Sequence, residues 1–366
     1  MKIVIATPSF NIYDAIAADV SAQRDLFLQK GHECVVFSEL GQPPGQTVGY
    51  AQLRALVDEP QNLLIYHHSI HWPFGHKLLE KARCKIIIRY HNITPSEYFM
   101  PFDSGAWIAT KKGMEQTKDI ISLGRSKNVL YYLGNSTFSC EELTNLGAPR
   151  ERTVAIPPFN NLRELVKSKS EASLESLLRN GPPAIIFVGR LVPHKNHTDL
   201  MRVIRRYCEV YDSQIKLYLI GALRSLSRGY ADSLQHQVHE MGLGENVSFT
   251  DSVSLQQLRA YYSGSKALLV LSKHEGFCVP IAEAQSLGLP VVAVEAAAVG
   301  ETMGPDQLLY PGFDVDILSA ALRKTIYDNN IRQFLIEAGL KNSKKFFNDV
   351  ISKHYTELDL GDSKAR

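Results

Sequence analysis

Short β-rich runs alternate with helix-length amphipathic stretches along most of this chain. In the first half, apolar runs predict strands at Lys2–Thr7, Glu33–Phe37, Asn62–His67, Cys84–Tyr90, Val129–Leu133 and Thr153–Ile156. Helical spacing predicts helices near Ala15–Lys30, Thr47–Val57, Lys77–Ala82, Gly105–Leu123 and Ser139–Leu146. Continuous apolar strands separated by helices read as a parallel sheet covered on both faces. Pro157-Pro158 ends the pattern. Leu165–Arg179, rich in Lys, Ser and Glu, precedes Gly181-Pro182-Pro183 and reads as an interdomain linker.

The alternation then restarts. Strands are expected at Ala184–Val188, Ile215–Ile220, Val247–Thr250, Ala267–Leu271 and Pro290–Val294. Helices are expected near His197–Tyr211, Tyr230–Met241, Leu255–Ser263, Pro280–Leu287 and Asp316–Tyr327. The fold class is therefore α/β, with two Rossmann-like domains. We expect an N-terminal domain over 1–165 and a C-terminal one over 181–347, with a terminal helix at about 348–366 able to pack back on the first. Ligands of such sheets bind outside the carboxyl ends of the strands, which makes a cleft between the halves the expected site.

Composition narrows the class. The 366 residues are 45% hydrophobic and 21% charged, ordinary for a globular protein. Forty Lys and Arg against thirty-eight Asp and Glu leave a formal +2, too balanced for gripping nucleic acid by bulk charge. Apolar runs such as Ala184–Val188 fall far short of the roughly 20 residues that span a bilayer. Met1–Ile5 running into Pro8 does not read as a signal peptide, so the expected location is cytoplasmic. Cys34, Cys84, Cys140, Cys208 and Cys278 are widely spaced and suggest neither a disulfide framework nor a zinc knuckle.

Two segments carry chemistry. In His274-Glu275-Gly276-Phe277-Cys278-Val279-Pro280, a strand gives way to a helix with Pro280 in its first turn. The backbone N–H groups of Gly276, Phe277 and Cys278 then lie at a helix N-terminus, suited to an anion or to sugar hydroxyls. Glu275 on the loop and Glu283 a turn into the helix can hold hydroxyls at two points of one extended ligand; the plainer alternative is a capping Glu275 and a solvated Glu283. The other segment is Gly189-Arg190-Leu191-Val192-Pro193-His194-Lys195, where two cations five apart at a strand's end can hold a diphosphate or simply line a solvated surface.

Together these segments resemble glycosyltransferase family 4, the retaining enzymes of the GT-B fold. The order Gly189-Arg190-x4-Lys195, Leu219-Ile220-Gly221, Val247-x-Phe249-x-Asp251, Ser272-x-x-Glu275-Gly276-Phe277, Glu283-Ala284 and Gly288-x-Pro290-Val291-Val292 is similar to that family's own. The resemblance implies that Arg190 and Lys195 bind the donor diphosphate, Glu275 the donor sugar and Glu283 the ribose. It implies that the main chain at Ser252 and Val253 flanks the base. Tyr90-His91-Asn92-Ile93-Thr94-Pro95, Gly124-Arg125 and Gly134-Asn135-Ser136-Thr137 resemble a bacterial subgroup containing O-antigen and exopolysaccharide mannosyltransferases, with His91 matching a histidine beside the donor sugar. One departure stands out: Asn11-Ile12-Tyr13-Asp14-Ala15 stands where many members carry a Gly-Gly that meets the diphosphate.

The implied activity is retaining, metal-independent hexosyl transfer, with Glu275 and His91 catalytic and no cofactor beyond the nucleotide-sugar donor. GDP-mannose is the favoured donor, and the acceptor is a glycan, lipid-linked in surface-polysaccharide synthesis. A UDP-hexose donor and a non-catalytic nucleotide-sugar-binding module are the alternatives. A dinucleotide oxidoreductase lacks its Gly-x-Gly-x-x-Gly, and an epimerase leaves the Glu275/Glu283 pair unexplained. Asp314-Val315-Asp316 reads as a helix cap rather than a metal site. His67, His68, His71 and His76 have no Cys or carboxylate to complete a zinc set. His236 and His239 read as a solvated face. Basic stretches at Lys77, Lys81, Arg83 and Lys85, and at Lys111, Lys112, Lys118, Arg125 and Lys127, suggest peripheral contact with an anionic membrane.

Overall fold

The computed structural model describes residues 1–11, 15–41, 45, 47–222 and 228–361. Its first half runs β1 (Lys2–Ser9), α1 (Ala15–Gln29), β2 (Glu33–Leu40), α2 (Tyr50–Asp58), β3 (Leu63–His68) and α3 (Pro73–Lys81). It continues with β4 (Lys85–Tyr90), α4 (Ser104–Leu123), β5 (Val129–Gly134), α5 (Thr137–Asn145) and β6 (Thr153–Ala155). The strands form one sheet in the order β2-β1-β3-β4-β5-β6, and the pairs are parallel. Ile3–Ala6, Leu63–Tyr66 and Ile86–Ile88 are all buried, as strands covered on both faces must be.

A second sheet has the order β12-β11-β10-β7-β8-β9, again with parallel pairs. The chain reaches it through α6 (Leu162–Lys167) and α7 (Ala172–Asn180), then runs β7 (Ala184–Val188), α8 (His197–Val210), β8 (Lys216–Ile220), α9 (Arg228–Glu240) and β9 (Val247–Asp251). There follow α10 (Leu255–Gly264), β10 (Ala267–Val270), α11 (Val279–Ser286), β11 (Val291–Val294), α12 (Val299–Met303), β12 (Leu308–Tyr310), α13 (Val315–Tyr327), α14 (Asn329–Ser343) and α15 (Asn348–Glu357). On α8, Leu200, Met201, Val203, Ile204 and Tyr207 form the apolar stripe that seats the helix on this sheet.

Contacts divide the chain into two compact units. One comprises Met1–Ser96, Ile108–Asn160 and Phe346–Arg366; the other comprises Glu97–Trp107 and Asn161–Lys345. The stretch expected as a linker, Leu165–Arg179, is instead largely helical and packed. Leu165 and Leu178 are buried in a cluster with Tyr262 and Ile281, and the Glu171 N–H donates to Gln256 O. A sparse leucine stripe inside a Lys/Ser/Glu-rich composition is enough to seat two short helices. Glu97–Trp107 joins the second unit because Phe99 meets His194 at 5.8 Å between ring centroids and Phe102 meets Tyr230 at 5.0 Å.

The last amphipathic stretch is two helices. α14 lies in the second unit, capped by Asp328, while α15 lies in the first, where Tyr355 stacks on Phe159 and meets Phe27 edge-on. Asn160 and Asn348 exchange backbone and side-chain hydrogen bonds where α15 begins. β12, three residues at the sheet edge, carried no strand signal in the sequence.

Candidate functional site

In the second sheet β7 and β10 are neighbours, and the helices that follow them bury their residues in different clusters on opposite sides. This is the switch point of an open α/β sheet, where strand ends leave room for a ligand. The loops that leave these strands hold both sequence segments. Four hydrogen bonds tie them together: Lys273 N–H to His194 O at 2.8 Å, Asn196 Nδ2 to Leu271 O at 3.0 Å, and the Lys195 ammonium to both oxygens of Glu275 at 2.6 and 2.7 Å. Lys195 and Glu275, both largely buried, are thus an ion pair.

Arg190, by contrast, is exposed. Gly189 (φ 152°) and Gly221 (φ 150°) cross beside it, and a Cβ on Gly221 would fall 2.0 Å from Gly189 O, so both positions require glycine. α11 starts with Pro280 in its first turn, behind Cys278 in the left-handed region at φ 71°. Glu275 does not cap this helix. Its own carbonyl accepts from Ala298 N–H, and Phe277 O accepts the Thr302 hydroxyl, so the loop is anchored at both ends. Burial and the nearby Glu275 carboxylate push the Cys278 thiol well up, keeping it protonated and a poor nucleophile. Gly276 is half-exposed between them.

Glu283 is not a solvated carboxylate. Tyr262 donates to its Oε2 at 2.6 Å, and burial raises its pKa while that bond opposes the shift. Asp251, at φ 58°, accepts the Ser252 N–H at 2.9 Å, and Ser254 caps α10 with a reciprocal Gln257 bond. Ser252 is exposed and Val253 half-buried against the core.

In the first unit the order of strands reverses between β1 and β3, and His67, at the end of β3, meets His91, directly after β4. His67 Nδ1 lies 2.8 Å from His91 Nε2, and His67 Nε2 lies 3.2 Å from Gln23 Oε1. Asp19 Oδ2 lies 4.0 Å from His91 Nε2 and 2.9 Å from Arg89 Nε, while Asp19 Oδ1 accepts the Phe159 N–H. Rather than ending openly at a strand tip, the His91 side chain is only 5% exposed. Burial holds His91 well below the ordinary imidazole range and takes His67 down to about 4, so both rings are neutral near pH 7.

The histidine cluster therefore divides differently from expectation. A carboxylate does stand beside it: Asp19, His67 and His91 offer ligand atoms within 4.8 Å of one another, the chemistry of a candidate metal set. Arg89 already occupies the Asp19 charge, and the two rings already bond each other. His68 instead pairs with the Thr117 hydroxyl, and His76 with Glu80 one helical turn away. Asp19 and Gln23 escaped sequence reasoning although both sit one turn apart on the buried face of α1 with Ala17, Val20 and Phe27. Arg89, a lone charge ending the run Ile86-Ile87-Ile88, was the other available signal.

The remaining sequence candidates resolve simply. Asp314 caps α13 by accepting the N–H groups of Asp316 and Ile317, and Asp316 pairs with Arg206. His236 pairs with Glu240 on an exposed face. In the Asn11–Ala15 loop, Ile12, Tyr13 and Asp14 lie outside the described residues.

Residues 168–342, just under half of the chain, match the model of the family "Glycosyl transferases group 1". Over 162 residues the chain is 28% identical to the O-antigen chain mannosyltransferase B of Escherichia coli, covering 44% of this chain and 41% of that protein. It is 26% identical over 203 residues to a D-inositol 3-phosphate glycosyltransferase of Nocardia farcinica, covering 54% and 45%. It is 30% identical over 139 residues to an MMP alpha-(1->4)-mannosyltransferase of Mycolicibacterium hassiacum, covering 37% and 32%. The chain thus spans less than half the length of these relatives. Among solved structures, Anabaena Alr3699/HepE in complex with UDP-glucose superposes with a TM-score of 0.75 over 98% of both chains at 18% identity. WaaG, a glycosyltransferase involved in lipopolysaccharide biosynthesis, superposes with a TM-score of 0.68 over 98% of this chain and 100% of that one at 12% identity. Residues 168–342 thus resemble the Glycosyl transferases group 1 family, and the two sheets have the α/β fold of the GT-B glycosyltransferases.

Proposed function

We propose that this protein is a retaining, metal-independent hexosyltransferase that moves mannose from GDP-mannose to a glycan acceptor carried on a lipid. The observation that carries this reading is the pairing of Lys195 with Glu275 at the switch point of the second sheet, inside the matched segment and flanked by Arg190 and Glu283. Arg190 and Lys195 take the donor diphosphate, the backbone of Gly276, Phe277 and Cys278 meets phosphate or sugar, and Glu275 and His91 hold the transferred sugar. Glu283, oriented by Tyr262, holds the ribose, and the Ser252–Val253 main chain flanks the base. Two of the relatives are named as mannosyltransferases, which supports mannose.

The reaction breaks the bond from the anomeric carbon to the diphosphate oxygen and forms one from that carbon to the acceptor oxygen. The acceptor proton leaves with the diphosphate. Negative charge develops on the leaving group, where Arg190, Lys195 and the N-terminus of α11 stabilise it. No helix of the described residues is long and apolar enough to cross a membrane, and we place the enzyme at the cytoplasmic face, attached peripherally where its acceptor lies.

A donor screen tests the reading. Purified protein is offered GDP-mannose and UDP-hexoses with and without chelator, and nucleotide release and thermal shift are measured. Release from GDP-mannose that survives chelation is expected. Release from a UDP-hexose alone would move the donor to the second reading, which the fold of a neighbour solved with UDP-glucose favours. Binding without release would leave a non-catalytic module.

A further inference from the structure

Two neutral imidazoles share two protons among four nitrogens, and their neighbours decide which nitrogens carry them. Gln23 turns its carbonyl oxygen to His67 Nε2, so that nitrogen is the donor and His67 Nδ1 is bare. The 2.8 Å contact between His67 Nδ1 and His91 Nε2 then needs a proton from His91. Asp19 argues independently for the same placement. Its carboxylate, 4.0 Å from His91 Nε2 and fixed by Arg89 and Phe159 N–H, favours a proton on that nitrogen and would repel a lone pair. His91 Nδ1 is left bare, with no hydrogen-bond partner among the described residues.

We propose that Gln23 and His67 are positioning residues that lock His91 in the tautomer with Nε2 protonated and Nδ1 bare, so that His91 accepts a hydrogen bond from a ligand hydroxyl. The ligand half of this inference rests on the reading of His91 as a sugar-contacting residue. The chemistry it selects is a hydroxyl donor, and a carbonyl or phosphate oxygen at the same place would meet a lone pair. Because burial keeps the ring from holding a second proton, His91 orients that hydroxyl and does not deprotonate it.

Histidine-selective 15N labelling reads the tautomer directly, with the His91 signals identified by their loss in His91→Gln. The expected spectrum shows a protonated Nε2 and a bare Nδ1, whose resonance moves on adding GDP-mannose or UDP-glucose and stays put with GDP or UDP. In Gln23→Leu, His67 is released to donate through Nδ1, so a measurable fraction of His91 acquires an Nδ1 proton. Turnover in that variant falls about tenfold, the loss of one hydrogen bond. An Nδ1–H in the unaltered protein, an unchanged His91 tautomer in Gln23→Leu, or a stoichiometric metal ion on Asp19, His67 and His91 would overturn the lock. A bare Nδ1 that ignores every sugar nucleotide at saturation would overturn its ligand role. Since the tautomer is read without substrate, a silent donor screen sinks the proposed function and leaves the lock standing.

Discussion

The Lys195 ammonium is held by both carboxylate oxygens of Glu275, 80 residues later in the chain, at 2.6 and 2.7 Å. The pair joins the loops after two adjacent strands, so each side chain sets the other's position before any ligand arrives. The two are unequally buried: Glu275 exposes 7% of its side chain and Lys195 16%. Breaking a buried pair costs about 3–5 kcal/mol, mostly for the charge left behind. Lys195→Met, which strands the deeper carboxylate, is therefore expected to lower Tm more than Glu275→Gln, whose lysine has a shorter way to water. Both variants are expected to lose transfer. Thermal unfolding of the two with their double variant checks this: equal or reversed Tm losses would mean the pair is not holding the loops.

Arg190 offers a cleaner probe of phosphate binding because it is exposed. Arg190→Ala should leave Tm unchanged while weakening nucleoside diphosphate binding by about 1.5–3 kcal/mol, the range for charged hydrogen bonds. Calorimetry with mono- and diphosphate separates the possibilities. An equal loss for both nucleotides would remove the second phosphate from the role of Arg190.

Much of this architecture was readable from pattern. Ile3–Ala6 and Ile185–Phe187 are apolar at every position because both sheet faces are covered, which a strand signal detects directly. Gly189, Arg190, Lys195, Glu275 and Glu283 stand at spacings fixed by strand ends and a helix start, so sequence order preserved their relationship. What pattern missed depends on distant contacts. The leucines of α6 and α7 are too sparse to outweigh their charged neighbours, and Phe99 and Phe102 declare their unit only through His194 and Tyr230. Asp19 and Gln23 looked like ordinary polar helix positions until β3 and β4 brought His67 and His91 over them.

Glu142 gives the first unit a pH response. Burial pushes its carboxyl from the ordinary 4.5 up to about 7, with bonds from Tyr90 and Asn92 opposing the shift. The folded protein keeps this proton where the unfolded chain has lost it, so this group's contribution to stability falls as pH rises from about 4.5 to about 7. Allowing for its partial exposure, the change is on the order of 1–2 kcal/mol. The buried histidines act in the opposite sense. His67 and His274, both lowered to about 4, lose stability as pH falls from 6.5 toward that value. Glu142→Gln is therefore expected to be more stable than the parent at pH 7.5 and no better at pH 5. Denaturant titrations at the two pH values measure it, and a gain of the same size at both would show that Glu142 does not titrate in this window.

The exposed side of α4 is where membrane attachment would be felt. Ile120 and Ile121 are buried, but Ile108 and Met114 are exposed beside Lys111, Lys112 and Lys118. Of the other basic residues, Lys85 and Lys127 are turned to carbonyl oxygens, while Arg125, just beyond α4, is exposed. Each such cation near an anionic surface contributes about 1 kcal/mol, so four support reversible attachment that salt weakens. Co-sedimentation with phosphatidylserine-containing vesicles is expected at low salt and lost at high salt, and Lys111→Glu with Lys112→Glu should abolish it. Vesicle binding that persists in the double variant would place the contact elsewhere on the protein, and no binding at low salt would end the idea that this helix meets a membrane.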